Sequence, residues 1–168
     1  MHTEVVQFLQ SCREVPWLGA TVYEVGALDV NGQARDIVPQ GWRKWVGFDL
    51  VAGHGVDHVG DAAELLPDHP QCDVMLSTEV LEHAPEWANL LTVMCDRIVS
   101  GGWLVLTCAG RGRKPHAADG SPGGPHPGEW YRNVTLDEVE VVAAAAGVMR
   151  EWGEEGWPGD TRFLGRKQ

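Results

Sequence analysis

The chain has 168 residues, a formal net charge of -11, and a composition that is 43% hydrophobic. This length suits one compact domain with a sizeable buried core and is short for two domains. The acidic balance disfavours a nucleic-acid partner, because it opposes non-specific attraction to phosphate backbones.

The cysteines and the apolar segments indicate a cytoplasmic protein without disulfides. Four cysteines are present, with no CxxC pair and no zinc-like spacing, so we expect reduced and mostly buried thiols. No N-terminal apolar run precedes a cleavage site, and no stretch approaches membrane-spanning length. We therefore expect a cytoplasmic protein with no membrane partner.

Helical and β-rich segments alternate along the first half of the chain. Residues 3–13 place apolar side chains at helical spacing. The segment 72–78 is a nearly continuous apolar run, which is typical of a strand buried on both faces. The predicted strands are "TVYEV" (21–25), "KWVGFD" (44–49), "VDHVGD" (56–61) and "CDVMLST" (72–78).

The second half continues the alternation and ends in a predicted β-hairpin. The segment "PEWANLLTVMCDRIVSGG" (85–102) predicts a helix that stops at its two glycines, and "WLVLTC" (103–108) predicts a buried strand. Thr135 and Glu138 form a capping-box pattern that opens another helix, and Gly147 suits its end. This alternation predicts an α/β fold with a mostly parallel sheet covered on both sides.

The segment 110–133 has no periodicity and consists largely of Gly, Pro, His and charged residues. Irregular loops of this length are usually functional or disordered. No repeat or linker divides the rest of the chain. We therefore predict a single domain over residues 1–168, with loop 110–133 as a substrate lid.

Acidic residues stand at the ends of four predicted strand segments. They are Glu24, Asp49, Asp61 and the "TEVLEH" segment that follows Ser77. In open α/β sheets, ligands bind beyond the carboxyl ends of the strands. Asp49 lies at the distance from the first turn at which a carboxylate binds a ribose diol. The alternative is that such aspartates only cap helices and end strands.

The turn after the first strand lacks the glycines of a dinucleotide-binding loop. Leu28 and Val30 stand where close approach to a pyrophosphate needs glycine, and no lysine follows to make a phosphate-cradling loop. A cationic nucleoside without phosphates suits this loop and the acidic residues around it. S-adenosylmethionine, an adenosine that carries a sulfonium, has both properties.

Five segments together resemble the motifs of class I S-adenosylmethionine-dependent methyltransferases, in particular small bacterial and phage-type members. The resemblance covers Thr21 to Lys167 and implies a Rossmann-like three-layer sandwich. Its sheet would have seven strands, mostly parallel, with an antiparallel strand from the C-terminal hairpin. In chain order the segments are "YEVGALDVNGQAR", "VGFDL", "GDAAELLP", "CDVMLSTEVLEH" and "IVSGGWLVLTC".

The resemblance implies how the adenosine half of the cofactor is held. Asp49 would bind the ribose hydroxyls, and Leu50 would pack on the adenine ring. Asp61 would accept a hydrogen bond from the adenine amino group, with Ala62 at the same edge of the base.

The resemblance also implies the residues of the methionine half. Glu24 would lie beneath the methionine portion, and the Gly26 backbone would approach it closely. Thr78 and Glu79 would line the methionine and sulfonium end. Leu28 and Val30 stand where the common form of the first motif has glycine, and this difference affects the expected cofactor affinity more than the expected cofactor identity.

The segment "PHPGEWYRNVTLDEV" resembles the region that covers the acceptor substrate in related methyltransferases. Trp130 and Tyr131 would wall the acceptor pocket, and Arg132 would hold an anionic group. His116, earlier in the same loop, is a further candidate to contact the acceptor. The alternative is that Trp130 and Tyr131 anchor the loop to the core and Arg132 pairs with a surface acid.

Methyl transfer needs a base only when the acceptor atom carries a proton. His83 is the first candidate, since its ordinary pKa suits proton removal near neutrality. Further candidates on the loop are His116, His126 and Tyr131. The alternative for His83 is a structural role at the start of a helix. Asp119 with the loop histidines His116 and His126 has no recognised metal geometry, so we expect no metal.

The sequence therefore predicts a methyltransferase acting on a small-molecule acceptor. One alternative is a protein that binds S-adenosylmethionine or S-adenosylhomocysteine without catalysis, as a sensor or an assembly partner. A nicotinamide oxidoreductase is weakened by the missing glycines. DNA-base methylation is unsupported by the charge and by the absence of an Asn/Asp-Pro-Pro-aromatic segment.

Overall fold

The structure, a computed structural model, describes residues 2–121 and 123–168. Its helices are α1 (Thr3–Ser11), α2 (Ala62–Leu65), α3 (Trp87–Asp96) and α4 (Leu136–Ala145). Its strands are β1 (Thr21–Val25), β2 (Lys44–Asp49), β3 (His58–Val59), β4 (Cys72–Thr78), β5 (Ile98–Ala109), β6 (Val148–Gly156) and β7 (Asp160–Lys167). Short 3-10 turns lie at Ala34–Asp36, Leu66–Asp68 and Leu81–His83.

All seven strands form one sheet in the order β3-β2-β1-β4-β5-β7-β6. The first five strands pair in parallel, and β7 runs antiparallel to both β5 and β6. One face packs its buried side chains against α3 and α4, and the other packs against α1. The predicted seven-stranded, mostly parallel sandwich with an antiparallel C-terminal hairpin is confirmed.

The sheet interior follows the predicted strands closely, whereas its β3 edge is shorter than predicted. β1, β2 and β4 have the predicted bounds. The predicted strand 56–61 was too long, because only His58–Val59 pairs with β2. Val56 belongs to a turn closed by its N–H donating to the Gly53 carbonyl, and Asp61 caps α2.

The prediction that the third helix runs to the two glycines was wrong. α3 ends at Asp96, and β5 begins at Ile98, which pairs with Cys72 and is completely buried. Gly101 has a φ of 79° and lies within this strand. Ile98 therefore pairs with Cys72 in the sheet, although the apolar residues before it have helical spacing.

The last helix and hairpin agree with their sequence signals. The Thr135 hydroxyl accepts from the Glu138 N–H, and the Glu138 carboxylate accepts from the Thr135 N–H, which completes a capping box at α4. Gly147 follows the helix with a φ of 76°, a conformation that glycine adopts without strain. β6 and β7 then pair, which leaves β6 at the edge of the sheet.

Two further expectations concern the thiols and the membrane. All four cysteines are buried and unpaired. Across residues 2–121 and 123–168, the structure contains no helix with the length and apolar character needed to cross a membrane.

We expect Thr135→Ala to lower the free energy of unfolding by about 1 kcal/mol, because the α4 N-terminus loses its side-chain cap. Thr135→Ser keeps the hydroxyl and is the matched control. Urea unfolding followed by circular dichroism measures both variants. Equal stability of the alanine and serine variants would show that the capping box contributes nothing.

Candidate functional site

The carboxyl ends of β1, β2, β4 and β5 lie along one edge of the sheet. The strand order reverses between β1 and β4, which makes this edge the expected ligand position for an open α/β sheet. β7 starts at the same edge, since Asp160 pairs with Ala109 at the end of β5. Side chains from distant parts of the chain therefore meet there.

Glu24 is buried at the end of β1 and is held by an indole. Its carboxylate accepts from the Trp45 ring N–H on β2 at 2.8 Å. Burial raises the pKa of Glu24 to about 7, although the Trp45 hydrogen bond and the charge of Arg35 act in the opposite direction. The Glu24 side chain thus lies inside the protein, next to this edge of the sheet, and is buried from solvent.

The turn after β1 leaves no room for a side chain at Gly26. Gly26 has a φ of 80°, and a Cβ there would lie 2.1 Å from Cγ2 of Val80. Its N–H donates to the Phe48 carbonyl at 2.9 Å. The β1 turn therefore packs directly against the segment that follows β4.

Asp49 joins the loops that follow β1 and β2. One of its carboxylate oxygens accepts from the Leu28 N–H and the other from the Val51 N–H, both at 3.0 Å. Carboxylate oxygens have several acceptor positions, so these bonds leave capacity for ligand hydroxyls. The neighbouring Leu50 is 73% exposed, which leaves its side chain available to a ligand.

Asp61 has the capping role that the sequence left as an alternative. Its Oδ1 accepts from the Ala63 N–H at 2.8 Å and caps α2. The residue is exposed, and Ala62 beside it is buried. Because Oδ1 accepts the capping hydrogen bond, Oδ2 is the oxygen that could accept the predicted hydrogen bond from the adenine amino group.

Glu79 has a strained backbone and stands at the centre of a charged cluster. It follows Thr78 at the end of β4 with a φ of 58°, which is uncommon for a residue other than glycine. Its N–H donates to the Thr107 carbonyl, and its Oε1 accepts from the Thr107 hydroxyl, both at 2.9 Å. These two bonds to β5 hold Glu79 in the strained conformation.

Two cations and a second acid complete the cluster around Glu79. His2 Nε2 lies 3.4 Å from both Glu79 Oε2 and Asp160 Oδ2. Arg113 lies 2.7 Å from Asp160 and 4.0 Å from Glu79. Burial opposes ionisation of Glu79, but His2, Thr107 and Arg113 together outweigh it and hold its pKa below the usual value. The hydrogen bond to Glu79 raises the pKa of His2.

Glu82 is the most isolated carboxyl group at this edge. Its side chain is completely buried, and Oε1 accepts from the Ala109 N–H at 3.0 Å. Oε2 has no hydrogen-bond partner among the described residues. Burial, reinforced by the charge of Glu79, raises the pKa of Glu82 well above its ordinary value.

The structure brings His83, His116 and Tyr131 together. Ring centroids lie 5.1 Å apart for His83 and His116, 5.4 Å for His83 and Tyr131, and 5.2 Å for His116 and Tyr131. Burial lowers the pKa of His83, and the neighbouring His116 lowers it further. Burial raises the pKa of Tyr131 above its usual range, so Tyr131 keeps its proton and is a donor near neutrality.

Trp130 and Arg132 make the contacts of the packing alternative. Trp130 packs against the core cluster beneath α3 and α4. Arg132 forms an ion pair with Glu138, and its guanidinium lies 5.5 Å from the centre of the Trp87 ring. These contacts anchor the end of loop 110–133 on the protein.

The loop histidines do not assemble with Asp119 as one group. His126 lies 3.2 Å from Asp119 on the exposed part of the loop. His116 lies instead beside Glu82 and His83. The three residues weighed as a metal site from the sequence are therefore divided between two places.

Sequence reasoning missed His2, Glu82, Arg113 and Asp160. Glu82 lies inside the quoted segment "TEVLEH", so its position next to His83 was a usable signal. Asp160 opens β7, and an antiparallel strand after a parallel sheet starts at the ligand edge. His2 and Arg113 precede α1 and follow β5, and no local pattern marks either of them.

No protein-family model matches the chain, and no curated protein sequence matches it significantly. Solved structures do share its fold, at low sequence identity.

One is a 1,6-didemethyltoxoflavin-N1-methyltransferase of Burkholderia thailandensis, solved with S-adenosylhomocysteine. It is 18% identical in sequence, and the match has a TM-score of 0.68 and covers 98% of this chain and 77% of the other. A Mesorhizobium loti S-adenosylmethionine-dependent methyltransferase is 16% identical, with a TM-score of 0.66 and coverage of 98% of this chain and 96% of the other. The [4+2]-cyclase SpnF is 14% identical, with a TM-score of 0.71 and coverage of 98% of this chain and 80% of the other. The resemblance to class I methyltransferases is thus confirmed for the fold.

We expect Glu24→Gln to gain stability relative to the parent as pH rises. The folded parent holds the Glu24 proton up to about pH 7, whereas the unfolded chain releases it near pH 4.3. Glu24 therefore lowers stability progressively across that window. The glutamine keeps an oxygen for Trp45 and does not titrate.

The stability difference between Glu24→Gln and the parent should grow by on the order of 2–3 kcal/mol between about pH 5 and about pH 8. Urea unfolding at the two pH values measures it, with the exposed Glu151→Gln as control. A difference as flat as that of the control would show that Glu24 ionises normally in the folded protein.

Proposed function

We propose that the protein is an S-adenosylmethionine-dependent methyltransferase that acts on a small-molecule acceptor. The observation that carries this proposal is the row of carboxylates at the switch point of a methyltransferase-type sheet. The row includes Glu24, Asp49 and Glu79 and suits a cationic nucleoside better than a phosphate-bearing one.

The β2 end of the edge fits the adenosine half of the cofactor. Asp49 is fixed by the Leu28 and Val51 amides and keeps acceptor capacity for ribose hydroxyls. The exposed Leu50 can cover one face of the adenine. Asp61 and Ala62, at the start of α2, lie next along the same edge and would meet the adenine amino group.

The β4 end fits the methionine half of the cofactor. Gly26 allows the chain to turn sharply there, and Glu24 lies beneath the turn. Thr78 and Glu79 would face the sulfonium. His2 and Arg113 stand beside Glu79 and offer donors to the methionine carboxylate.

Bound S-adenosylmethionine supplies an activated methyl group, whose carbon bonds to the acceptor while sulfur retains the electron pair of the broken bond. The protein's part is to align the acceptor and exclude water. His83 and Tyr131 stand beside the β4 segment, and Tyr131 can donate a hydrogen bond to the acceptor. His83, held neutral near neutrality by its lowered pKa, could accept the acceptor's proton.

Loop 110–133 supports the proposal from the acceptor side. Its first half contributes His116 and its last part contributes Tyr131, and both rings contact His83. The loop therefore brings side chains to the segment after β4, as a cover over an acceptor would. We propose this role for the loop, with Trp130 and Arg132 as its anchors.

A second candidate is a protein that binds the cofactor without turnover. The tight packing of Val80 on Gly26 favours it, because the turn lies against its neighbour where the cofactor would enter. Leu28 packs in the same way near Gly53, where a Cβ would lie 2.3 Å from its Cδ1. The [4+2]-cyclase among the structural neighbours also shows that this fold serves more than one chemistry.

We expect calorimetric titration to show binding of both S-adenosylmethionine and S-adenosylhomocysteine to the parent. Asp49→Asn should weaken both affinities at least about tenfold, because a charged acceptor for the ribose is lost. Asp57→Asn is the matched control, since Asp57 also accepts from a backbone N–H, that of Gly47 in β2 at 2.8 Å.

Absence of binding to the parent would refute the cofactor assignment. Equal losses in the Asp49 and Asp57 variants would show that Asp49 acts only through loop structure. The ribose role requires a loss at Asp49 alone.

We expect the parent to form S-adenosylhomocysteine from S-adenosylmethionine when supplied with an acceptor. A panel of small hydroxyl, amine and carbon acceptors, analysed by mass spectrometry, measures the product. Cofactor without acceptor is the control. Tight binding with no product across the panel would favour the non-catalytic candidate.

A further inference from the structure

Glu82, His83 and His116 bring three ligand atoms close together outside the proposed cofactor contacts. Each residue has one donor atom within 4.8 Å of the donor atoms of the other two. Glu82 and His83 belong to the short turn after β4, and His116 belongs to the loop after β5. Two separate segments thus converge at this cluster.

Glu82 directs an unsatisfied oxygen into the protein interior. Oε1 accepts from the Ala109 N–H, whereas Oε2 has no hydrogen-bond partner in the described part of the chain. The whole side chain is buried. A buried carboxylate oxygen without a partner is destabilising unless a proton or a cation neutralises the group.

The two nitrogens of His116 face different neighbours. Nδ1 lies 3.3 Å from the Lys114 carbonyl and 3.4 Å from the Tyr131 hydroxyl, whereas Nε2 lies 3.8 Å from Glu82 Oε1. In the tautomer in which Nδ1 donates to the Lys114 carbonyl, Nε2 bears the lone pair. A backbone carbonyl that orients the second nitrogen is the usual support of a metal-binding histidine.

His83 supplies a second unsatisfied atom. Its Nδ1 is buried and has no hydrogen-bond partner among residues 2–121 and 123–168. The ring is held edge-on against His116 and Tyr131. The cluster therefore combines a carboxylate and two imidazoles, with one unpartnered buried atom on Glu82 and one on His83.

We propose that Glu82, His83 and His116 bind one divalent transition-metal cation. Two imidazoles with one carboxylate suit Zn²⁺ and its neighbours Mn²⁺ to Ni²⁺, whereas Mg²⁺ and Ca²⁺ prefer oxygen ligands. Ligands about 2.0–2.2 Å from a metal are roughly 3–3.5 Å apart, so the three side chains must draw together by about 1 Å. This site replaces the expectation from the sequence that no metal is bound.

Neither of the other candidate groups has the same need for a cation. His2, Glu79 and Asp160 also converge, and Asp160 Oδ2 likewise has no hydrogen-bond partner among the described residues. Cationic side chains already surround that carboxylate, however, because Arg113 lies 2.7 Å from Oδ1 and Arg162 lies 3.9 Å from Oδ2. Asp119 and His126 are exposed on the loop and satisfy each other at 3.2 Å. The remaining rival explanation is a proton on Glu82 in place of the metal.

Three protein ligands leave further coordination positions open. The cluster borders the segment after β4 and loop 110–133, where the acceptor is proposed to bind. A cation there would occupy His83, which could then no longer accept the acceptor's proton as proposed above. It would instead take an acceptor oxygen, such as a hydroxyl beside a carbonyl, as an additional ligand and lower the pKa of that hydroxyl. This placement rests on the proposed function, whereas the cation site itself does not.

The experiment measures metal binding without S-adenosylmethionine, so its failure is distinct from failure of the methyltransferase proposal. The full chain is freed of metal with a chelator and titrated with Zn²⁺ by calorimetry and with Co²⁺ by visible absorption. We expect one cation per chain. Glu82→Gln and His116→Gln should each weaken binding at least about 100-fold, because a ligand is lost in each.

His126→Gln is the matched control, since His126 is a histidine of the same loop outside the cluster, and it should bind as the parent does. His116 is only partly buried, so its variant keeps the test decisive if Glu82→Gln does not fold. No stoichiometric binding to the parent would overturn the site and favour a protonated Glu82. Unchanged binding in His116→Gln, or loss in His126→Gln, would also overturn it.

Discussion

Four carboxyl groups are kept out of water at one edge of the sheet, and much of the surrounding structure compensates for that burial. Glu24, Glu82 and Asp160 are almost fully buried, and the Glu79 side chain is 19% exposed. Charged groups in such positions are stable only when hydrogen-bonded or paired. The Trp45 indole holds Glu24, while His2 and Arg113 hold Glu79 and Asp160. Glu82 and Asp160 each keep one buried oxygen without a hydrogen-bond partner among the described residues, but only Asp160 has an arginine 2.7 Å away.

The fold creates this arrangement because parallel strands deliver their carboxyl ends to a single edge. The antiparallel β7 adds the start of a strand to the same edge, which is how Asp160 comes to lie beside Ala109. Carboxylates such as Asp49 and Glu79 stand at this edge, so a cationic group is favoured over a phosphate. The cationic nucleoside and the metal ion proposed above both follow from this property, although they occupy different parts of the edge.

The sequence predicted the interior of the sheet well because the central strands are short, mostly apolar segments, and β2 and β4 end at a polar residue. It predicted the α4 cap because that signal is local to Thr135 and Glu138. It failed at Ile98, where burial beside Cys72 overrides the helical pattern. Asp49 and Glu79 were found as strand-end acids, but their partners were not. Leu28, Thr107 and His2 are distant in sequence, and no short pattern encodes those contacts.

The two outer strands also bear on how the protein behaves at high concentration. β3 offers only His58–Val59 as a free edge, too little to template another strand. β6 is longer, but it is lined by exposed charged residues such as Arg150, Glu151 and Glu154. Short edges and charged edges both discourage one sheet from extending into the next. Both edge strands therefore disfavour strand pairing between molecules, which is the step by which sheets extend into fibres.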